Sequence, residues 1–373
     1  MRAAVLLFTP VLLASCMDTS PFQVPIDVLA DDITPALSLV ADDTSLYWTA
    51  RERDGSGFVW RLRKDGSERP VKMVRGPQDL SGHIAVDRKR VYFTDRTLLN
   101  GPAGEGQVVG LDKQAEEIGM NDPSWVTVAS LHVPYSCGVA VNEDYVFWLQ
   151  FDWSDPTTSS GARATLLRAA KEGAPGAMTT VSQHVTIGGV PPSPSNCGLL
   201  ATATSLYWLH EEPDKVTVRG YDVATENGAP TVVAEAGLAT PRAYGQEPGI
   251  AIDPGDPTTI YFAAPSASND GERAGVRSTK AQGCVSCATV LVAASERPAA
   301  FAVDGDVVYW TVAFDDSAQP AKGDGKLMRA RMPSGTTGVE DVTELAQGEV
   351  RGLALDSDFV YVGVGNKILR LRR

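Results

Sequence analysis

Histidine and cysteine are the side chains best suited to metal binding or nucleophilic chemistry, and this chain of 373 residues contains four His and five Cys. The histidines are His83, His132, His184 and His210, with Glu211 and Glu212 directly after the last. Imidazole and carboxylate groups together bind divalent cations. No His-x-His, His-Glu-x-x-His or nucleophile-elbow spacing is present, so we predict no catalytic residue, metal site or cofactor, and interpret these as surface histidines.

The cysteines predict disulfides. Without Cys16, an even number is left: Cys137, Cys197, Cys284 and Cys287. Cys284 and Cys287 form a C-x-x-C pair, but a redox or zinc motif would need a helix N-terminus or a second ligand pair, so a small disulfide loop is favoured. Cys137 and Cys197 each precede a glycine in equivalent slots of two repeats. They are either a second disulfide or two buried thiols.

The first 15 residues have the features of a signal peptide. Arg2 supplies a positive charge, and residues 3–13 form an apolar stretch too short to span a bilayer. The sequence Leu-Ala-Ser-Cys that ends at Cys16 resembles the lipobox of bacterial lipoproteins, which implies a diacylated Cys16 followed by a linker over residues 16–24. Cleavage as an ordinary secretory signal is the alternative. The expected location is the cell envelope, on either membrane, or otherwise the exterior.

A repeated pattern of strands predicts the fold in which these residues lie. An apolar strand, an acidic turn and an aromatic-centred strand recur seven times, at 45- to 60-residue spacing. The central aromatic residues are Tyr47, Tyr92, Phe147, Tyr207, Tyr261, Tyr309 and Tyr361. Two further strands follow most copies, and 35 Gly and 24 Pro provide the turns between short strands. This pattern predicts an all-β, seven-bladed β-propeller of four-stranded blades over residues 25–373.

The two ends of the repeat complement each other. The seventh copy stops after its third strand, whereas residues 25–30 match the fourth-strand pattern. We therefore expect the N-terminal strand to complete the last blade, because an incomplete blade would leave an unpaired edge. The aromatic strands are apolar on both faces and are expected to be core. The Asp after each first strand, such as Asp87 and Asp356, is expected to cap a tight turn.

The aromatic strands carry a family resemblance. Tyr47-Trp48-Thr49, Tyr92-Phe93-Thr94-Asp95 and Tyr309-Trp310-Thr311 resemble the Y-W-T-D strands of low-density-lipoprotein-receptor-type propellers, and the whole repeat resembles bacterial propeller lipoproteins. The receptor type has six units, and its final Asp is retained here only at Asp95. The resemblance therefore implies the fold and export, not receptor-like recognition.

Charge and loop composition narrow the function. A net charge of −13 disfavours nucleic acid as a partner. A lipid-tethered propeller with long polar loops suits binding or scaffolding of a protein, peptide or glycan, and we expect a monomer. The alternative is a metal-dependent lyase or lactonase-like enzyme. Seven-bladed streptogramin-inactivating lyases use His and Glu around the channel, so His83, His210, Glu211 and Glu212 are the residues for that alternative.

Overall fold

The computed structural model describes residues 25–52, 54–74, 80–95, 106–119, 122–131, 135–152, 162–172, 178–187, 198–211, 215–225, 229–237, 249–253, 255–264, 275–281, 289–293, 298–312, 325–332 and 340–373. Within these ranges every regular element is a β-strand, which confirms the predicted all-β class. No described segment forms a helix with the length and apolar character needed to cross a bilayer.

The strands form seven antiparallel sheets of four, the predicted blades. Blades 1 to 3 contain β2 (Ala36–Ala41), β3 (Ser45–Arg51), β4 (Gly57–Arg63) and β5 (Val71–Lys72); β6 (Leu80–Val86), β7 (Arg90–Asp95), β8 (Gly106–Asp112) and β9 (Trp125–Leu131); β10 (Tyr135–Val141), β11 (Tyr145–Asp152), β12 (Ala162–Ala170) and β13 (Met178–Ile187).

Blades 4 to 7 follow the same order. They contain β14 (Leu199–Ala201), β15 (Ser205–Glu211), β16 (Lys215–Asp222) and β17 (Thr231–Gly237); β18 (Ile250–Asp253), β19 (Asp256–Ala264), β20 (Gly275–Lys280) and β21 (Thr289–Ala293); β22 (Pro298–Asp304), β23 (Val307–Val312), β24 (Gly325–Arg331) and β25 (Glu340–Gly348); β26 (Val350–Leu355), β27 (Phe359–Val364), β28 (Lys367–Arg372) and β1 (Ile26–Ala30). We name the strands of each blade a to d in this order.

The a strands surround the axis of the propeller. Each contacts the a strands of the two neighbouring blades in an unbroken cycle that returns from blade 7 to blade 1. Because the strands alternate in direction, the a–b and c–d connections share one face, which we call the turn face. The b–c and d–a connections share the other, which we call the loop face.

The N-terminal strand closes the ring as predicted. β1 pairs with β28, with Ile26 opposite Leu371 and Ala30 opposite Ile368. Asp27 adds a 2.8 Å ion pair to Arg370, whose Nη1 also donates to the carbonyl of Lys64 in blade 1 at 3.0 Å. The closing strand is thus tied both to its own blade and to the next.

The aromatic b strands form the core, as expected from their apolar faces. Trp48, Trp148 and Trp208 are fully buried. Each packs against the preceding blade, since Trp48 clusters with Tyr361 of blade 7 and Trp148 with Tyr92 of blade 2. The blades are therefore held together by apolar clusters to which both neighbouring blades contribute side chains.

The acidic residues after the a strands cap the turns as predicted. One carboxylate oxygen of Asp42 accepts the N–H groups of Thr44 and Ser45, both at 2.8 Å. Asp87 and Asp356 make the same pair of bonds in blades 2 and 7. Such side-chain bonds fix a tight turn locally.

The second carboxylate oxygen of these residues reaches another blade. Asp42 Oδ2 accepts the Tyr47 hydroxyl at 3.0 Å and lies 2.6 Å from Nζ of Lys113, the residue directly after strand c of blade 2. We call this Asp–Tyr–Lys group a latch. Equivalent latches join blades 2 and 3 and blades 7 and 1, and a variant with Arg joins blades 6 and 7. Their members are Asp87, Tyr92 and Lys171; Asp356, Tyr361 and Lys64; and Asp304 with Arg373.

Three interfaces have no such latch among the residues described. The residue equivalent to the latch Lys can be identified in every blade, because its backbone N–H donates to a carbonyl at the a–b turn of the same blade. In blades 4, 5 and 6 this position holds Val223, Ala281 and Met332, which pack in apolar clusters instead. The facing position holds Asn142, Thr202 or Asp253.

Candidate binding cleft on the loop face

A cleft of about 930 Å³ opens on the loop face where blade 7 meets blade 1. One wall is the connection from β1 to β2, where Asp32 has a left-handed backbone (φ 52°) and buried Ile33 donates its N–H to the Asn366 carbonyl at 3.0 Å. The b–c connections of blades 1 and 7 and Glu349, which joins β25 to β26, supply the rest. The lining residues are Asp32, Ile33, Thr34, Pro35, Arg51, Glu52, Asp54, Glu349, Gly365 and Asn366.

The lining carries more negative than positive charge, since it has four carboxylates and one guanidinium. Arg51 directs its Nη2 to the carbonyl of Leu80 in blade 2, at 2.5 Å. Glu52 pairs with Lys72 at 3.3 Å and Glu349 with Arg351 at 3.2 Å, both partly exposed.

Asp32 and Asp54 take part in no ion pair within the described ranges. The N–H of Ser56 donates to Asp54 at 2.9 Å, and this bond to the charged form lowers the pKa of the carboxyl. The cleft is therefore suited to a cationic group at neutral pH.

A second cavity, of about 680 Å³, lies on the turn face between blades 2 and 3. It has three basic and four acidic lining residues, of which Lys171 pairs with Asp87 at 2.6 Å and Lys89 with Glu172 at 3.7 Å. Because this cavity surrounds a latch and its charges are largely matched, we assign it a structural role.

The structure places the predicted His and Glu residues next to connections on the loop face. His83 lies within β6, the strand that follows a d–a connection, and His210 and Glu211 end β15, directly before a b–c connection. Glu212 and the side chains of His210 and Glu211 lie outside the described residues. Among the residues described, no three His, Cys, Asp or Glu side chains gather to hold a metal.

The cysteine predictions remain predictions. Cys137 lies in β10 opposite Leu149, but its side chain lies outside the described part of the chain. Cys16, Cys197, Cys284 and Cys287 are outside the described residues altogether.

A polar position on strand b was missed by sequence reasoning. Asp95, Gln150 and His210 occupy the same place in blades 2, 3 and 4, three residues after the central aromatic. Asp95 is fully buried and accepts from Gln107 Nε2 at 3.4 Å. Within the described part of the chain, Gln150 Oε1 and the Oγ of buried Ser136, its cross-strand partner, have no hydrogen-bond partner. Other blades have Ala50, Val312 or Val364 there. Aligning the repeats one position further would have revealed this pattern.

Solved structures with this fold belong to proteins of different kinds. Virginiamycin B lyase from Staphylococcus aureus is 13% identical, with 94% of this chain and 99% of that one covered at a TM-score of 0.54. The propeller domain of the Trilobed protease from Pyrococcus furiosus, reported to have an open velcro topology, is 8% identical, with coverage of 91% and 95% and a TM-score of 0.53. A puromycin hydrolase is 12% identical over 90% of this chain and 50% of its own, with a TM-score of 0.58.

These similarities establish the propeller fold and no more, because identities of 8–13% carry no information on activity. No family model and no curated protein matches the chain. The fold expected from the resemblance to Y-W-T-D-type propellers is confirmed, while the relation to that family is still an interpretation of the sequence.

Proposed function

We propose that this protein is a lipid-anchored propeller of the bacterial cell envelope that binds a partner through its loop face. The observation that carries the binding role is the acidic cleft between blades 7 and 1, which is large enough for one or two side chains of a peptide or protein. Its charge favours a partner segment that presents Lys or Arg. Binding at a propeller face also suits the fold, whose strands are occupied by blade packing.

The anchor is proposed from the sequence around Cys16. Mass spectrometry of protein purified from its native membrane should find the first 15 residues removed and diacylglycerol on Cys16. A soluble protein with another N-terminus would contradict the anchor and leave the binding proposal standing.

The binding proposal is tested by titrating the purified propeller with an oligo-arginine peptide at low salt. Asp54→Asn should weaken binding about threefold, and added salt should weaken it further, because the attraction is electrostatic and partly screened. Asp65→Asn is the matched control, since Asp65 is also exposed and also accepts the N–H two residues on at 2.9 Å, but on the turn face. Equal effects of the two substitutions, or equal binding of an oligo-glutamate peptide, would contradict the proposal.

A metal-dependent lyase or lactonase-like activity is the second candidate. The observation that favours it is that His83 and His210 both lie on the loop-face side of their blades, in β6 and β15. Metal analysis of the purified protein would find a tightly held divalent ion that His83→Ala and His210→Ala release. Metal-free protein after native purification would contradict the candidate.

A further inference from the structure

The closing strand enters the ring at one corner. Ile26, the first residue of β1, pairs with Leu371 beside the turn face, and Ala30 pairs with Ile368 near the loop face. β28 begins beside cleft residue Asn366 and ends at Arg372, opposite Phe359, which begins β27 directly after the a–b turn of blade 7. The chain before β1 therefore joins the ring at the outer rim of blade 7, on the turn face.

Two exposed apolar side chains lie at this corner, on either side of the residue that forms the Asp27–Arg370 ion pair. Ile26 and Val28 are 45% and 53% exposed, and the described residues include one other large hydrophobic residue of comparable exposure, Val342. Ile26 and Val28 pair with Leu371 and Leu369, which are buried against blade 6. They therefore continue an apolar inter-blade face outward into solvent.

The linker limits how far this corner can be from a membrane. Ten residue steps separate Cys16 from Ile26. A fully extended chain covers about 3.5 Å per residue, so Ile26 cannot be more than about 35 Å from a lipidated Cys16. Along the chain, this corner is the described part of the ring nearest to Cys16.

We propose that the turn-face corner of blade 7 rests on the lipid bilayer, with Ile26 and Val28 in the headgroup region and the loop face directed away from the membrane. This inference rests on the proposed lipidation of Cys16. The contact is with the headgroup layer because β1 is an edge strand, and its unpaired backbone groups would be costly in hydrocarbon. Two acyl chains supply the attachment, so Ile26 and Val28 set the orientation. The acidic cleft then faces the partner and not the lipid.

The orientation is tested on the lipidated protein in phosphatidylcholine vesicles that contain brominated acyl chains as quencher. An environment-sensitive fluorescent amino acid is placed at position 28 or at position 342. Val342 is the matched control, because it is 52% exposed and lies on the outer strand of neighbouring blade 6. Position 28 should show a blue shift and a quenching at least about twofold stronger than position 342, as expected for a residue at the lipid interface.

The outcomes separate the inference from the proposed function. Mass spectrometry of the same sample reports acylation, and an unacylated Cys16 would overturn both the anchor and the orientation. Acylated protein with equal or absent quenching at 28 and 342 would overturn the orientation alone. A blue shift at 28 that persists in the soluble Cys16→Ser protein would also overturn it, because the edge strand would then contact a second copy of the chain.

Discussion

The two halves of the ring join their blades by different chemistry at the same positions. From blade 6 through blades 7, 1 and 2 to blade 3, an acidic residue at the end of strand a meets the Lys or Arg that directly follows strand c of the next blade. Between blades 3 and 6 the cation is replaced by Val223, Ala281 or Met332. We call these the latched arc and the apolar arc.

Comparing the two arcs indicates what a latch contributes to the propeller. Both arcs bury aromatic b strands, so the apolar clusters do not need a latch to form. A partly buried ion pair stabilises little more than apolar residues of similar volume, but it penalises misalignment because each charge needs its partner. The latched arc contains the seam, where Lys64 and Asp356 are joined from opposite ends of the chain. We infer that latches fix the register of the blades that close the ring.

The largest effect is expected from removing the cation at the seam. Lys64→Met would leave Asp356, whose side chain is 18% exposed, without its counter-charge, and should lower the free energy of unfolding by about 3 kcal/mol. The control is Lys280→Met, which breaks an exposed pair with Asp256 and should leave the free energy of unfolding nearly unchanged. Urea denaturation measures both. Equal losses would show that the latch is no better than a surface pair.

A slightly smaller effect is expected from placing a charge in the apolar arc. Val223→Lys should destabilise the protein by about 2 kcal/mol, because the ammonium is partly buried and faces Asn142. Adding Asn142→Asp and Phe147→Tyr would complete a latch and should restore most of the loss in thermal unfolding. Failure of this triple variant to recover would mean that the two arcs differ in backbone geometry as well as in side chains.

Acid should weaken the latched arc selectively. Burial opposes ionisation of Asp42, Asp87 and Asp356, but hydrogen bonds from the latch Lys and from turn N–H groups outweigh it, so each pKa is lowered. A lowered folded-state pKa gives stability that is fully present above about pH 5 and is lost as the pH falls below the ordinary value of about 3.9.

The melting temperature of the wild type should therefore fall more steeply below pH 4 than that of a protein whose three latches carry Asn and Met in place of Asp and Lys. Parallel pH profiles for the two proteins would assign the acid sensitivity to other groups.

The smallest effect is expected from the latch hydroxyl. Tyr361→Phe removes a 2.7 Å hydrogen bond to Asp356 and should cost about 1 kcal/mol. Tyr207→Phe, at the same position in the apolar arc, should leave the free energy of unfolding nearly unchanged, since Thr202, at the place of Asp356, offers its hydroxyl no carboxylate. Denaturant midpoints that shift alike for both would contradict the comparison.

Sequence reasoning succeeded where a feature is encoded within one repeat. The turn-capping role of Asp42 follows from its place between two strands, and the burial of Trp48 follows from a strand that is apolar on both faces. Strand ends were less predictable. The polar position shared by Asp95, Gln150 and His210 was missed, because it lies one residue beyond the aromatic motif that aligns the repeats.

The seven blades, the aromatic core strands, the capped turns and the closing role of β1 could all be predicted from the amino-acid pattern, because periodicity and strand type are local properties and the missing strand can be counted. The contacts between blades were visible only in the folded structure. They include the ion pair of Asp42 with Lys113 and the apolar Val223 at the position of such a cation. They also include the acidic cleft in which residues 32–35 meet Glu349 and Asn366. These contacts join neighbouring blades, and their partners depend on how strand registers align across an interface that no single repeat encodes.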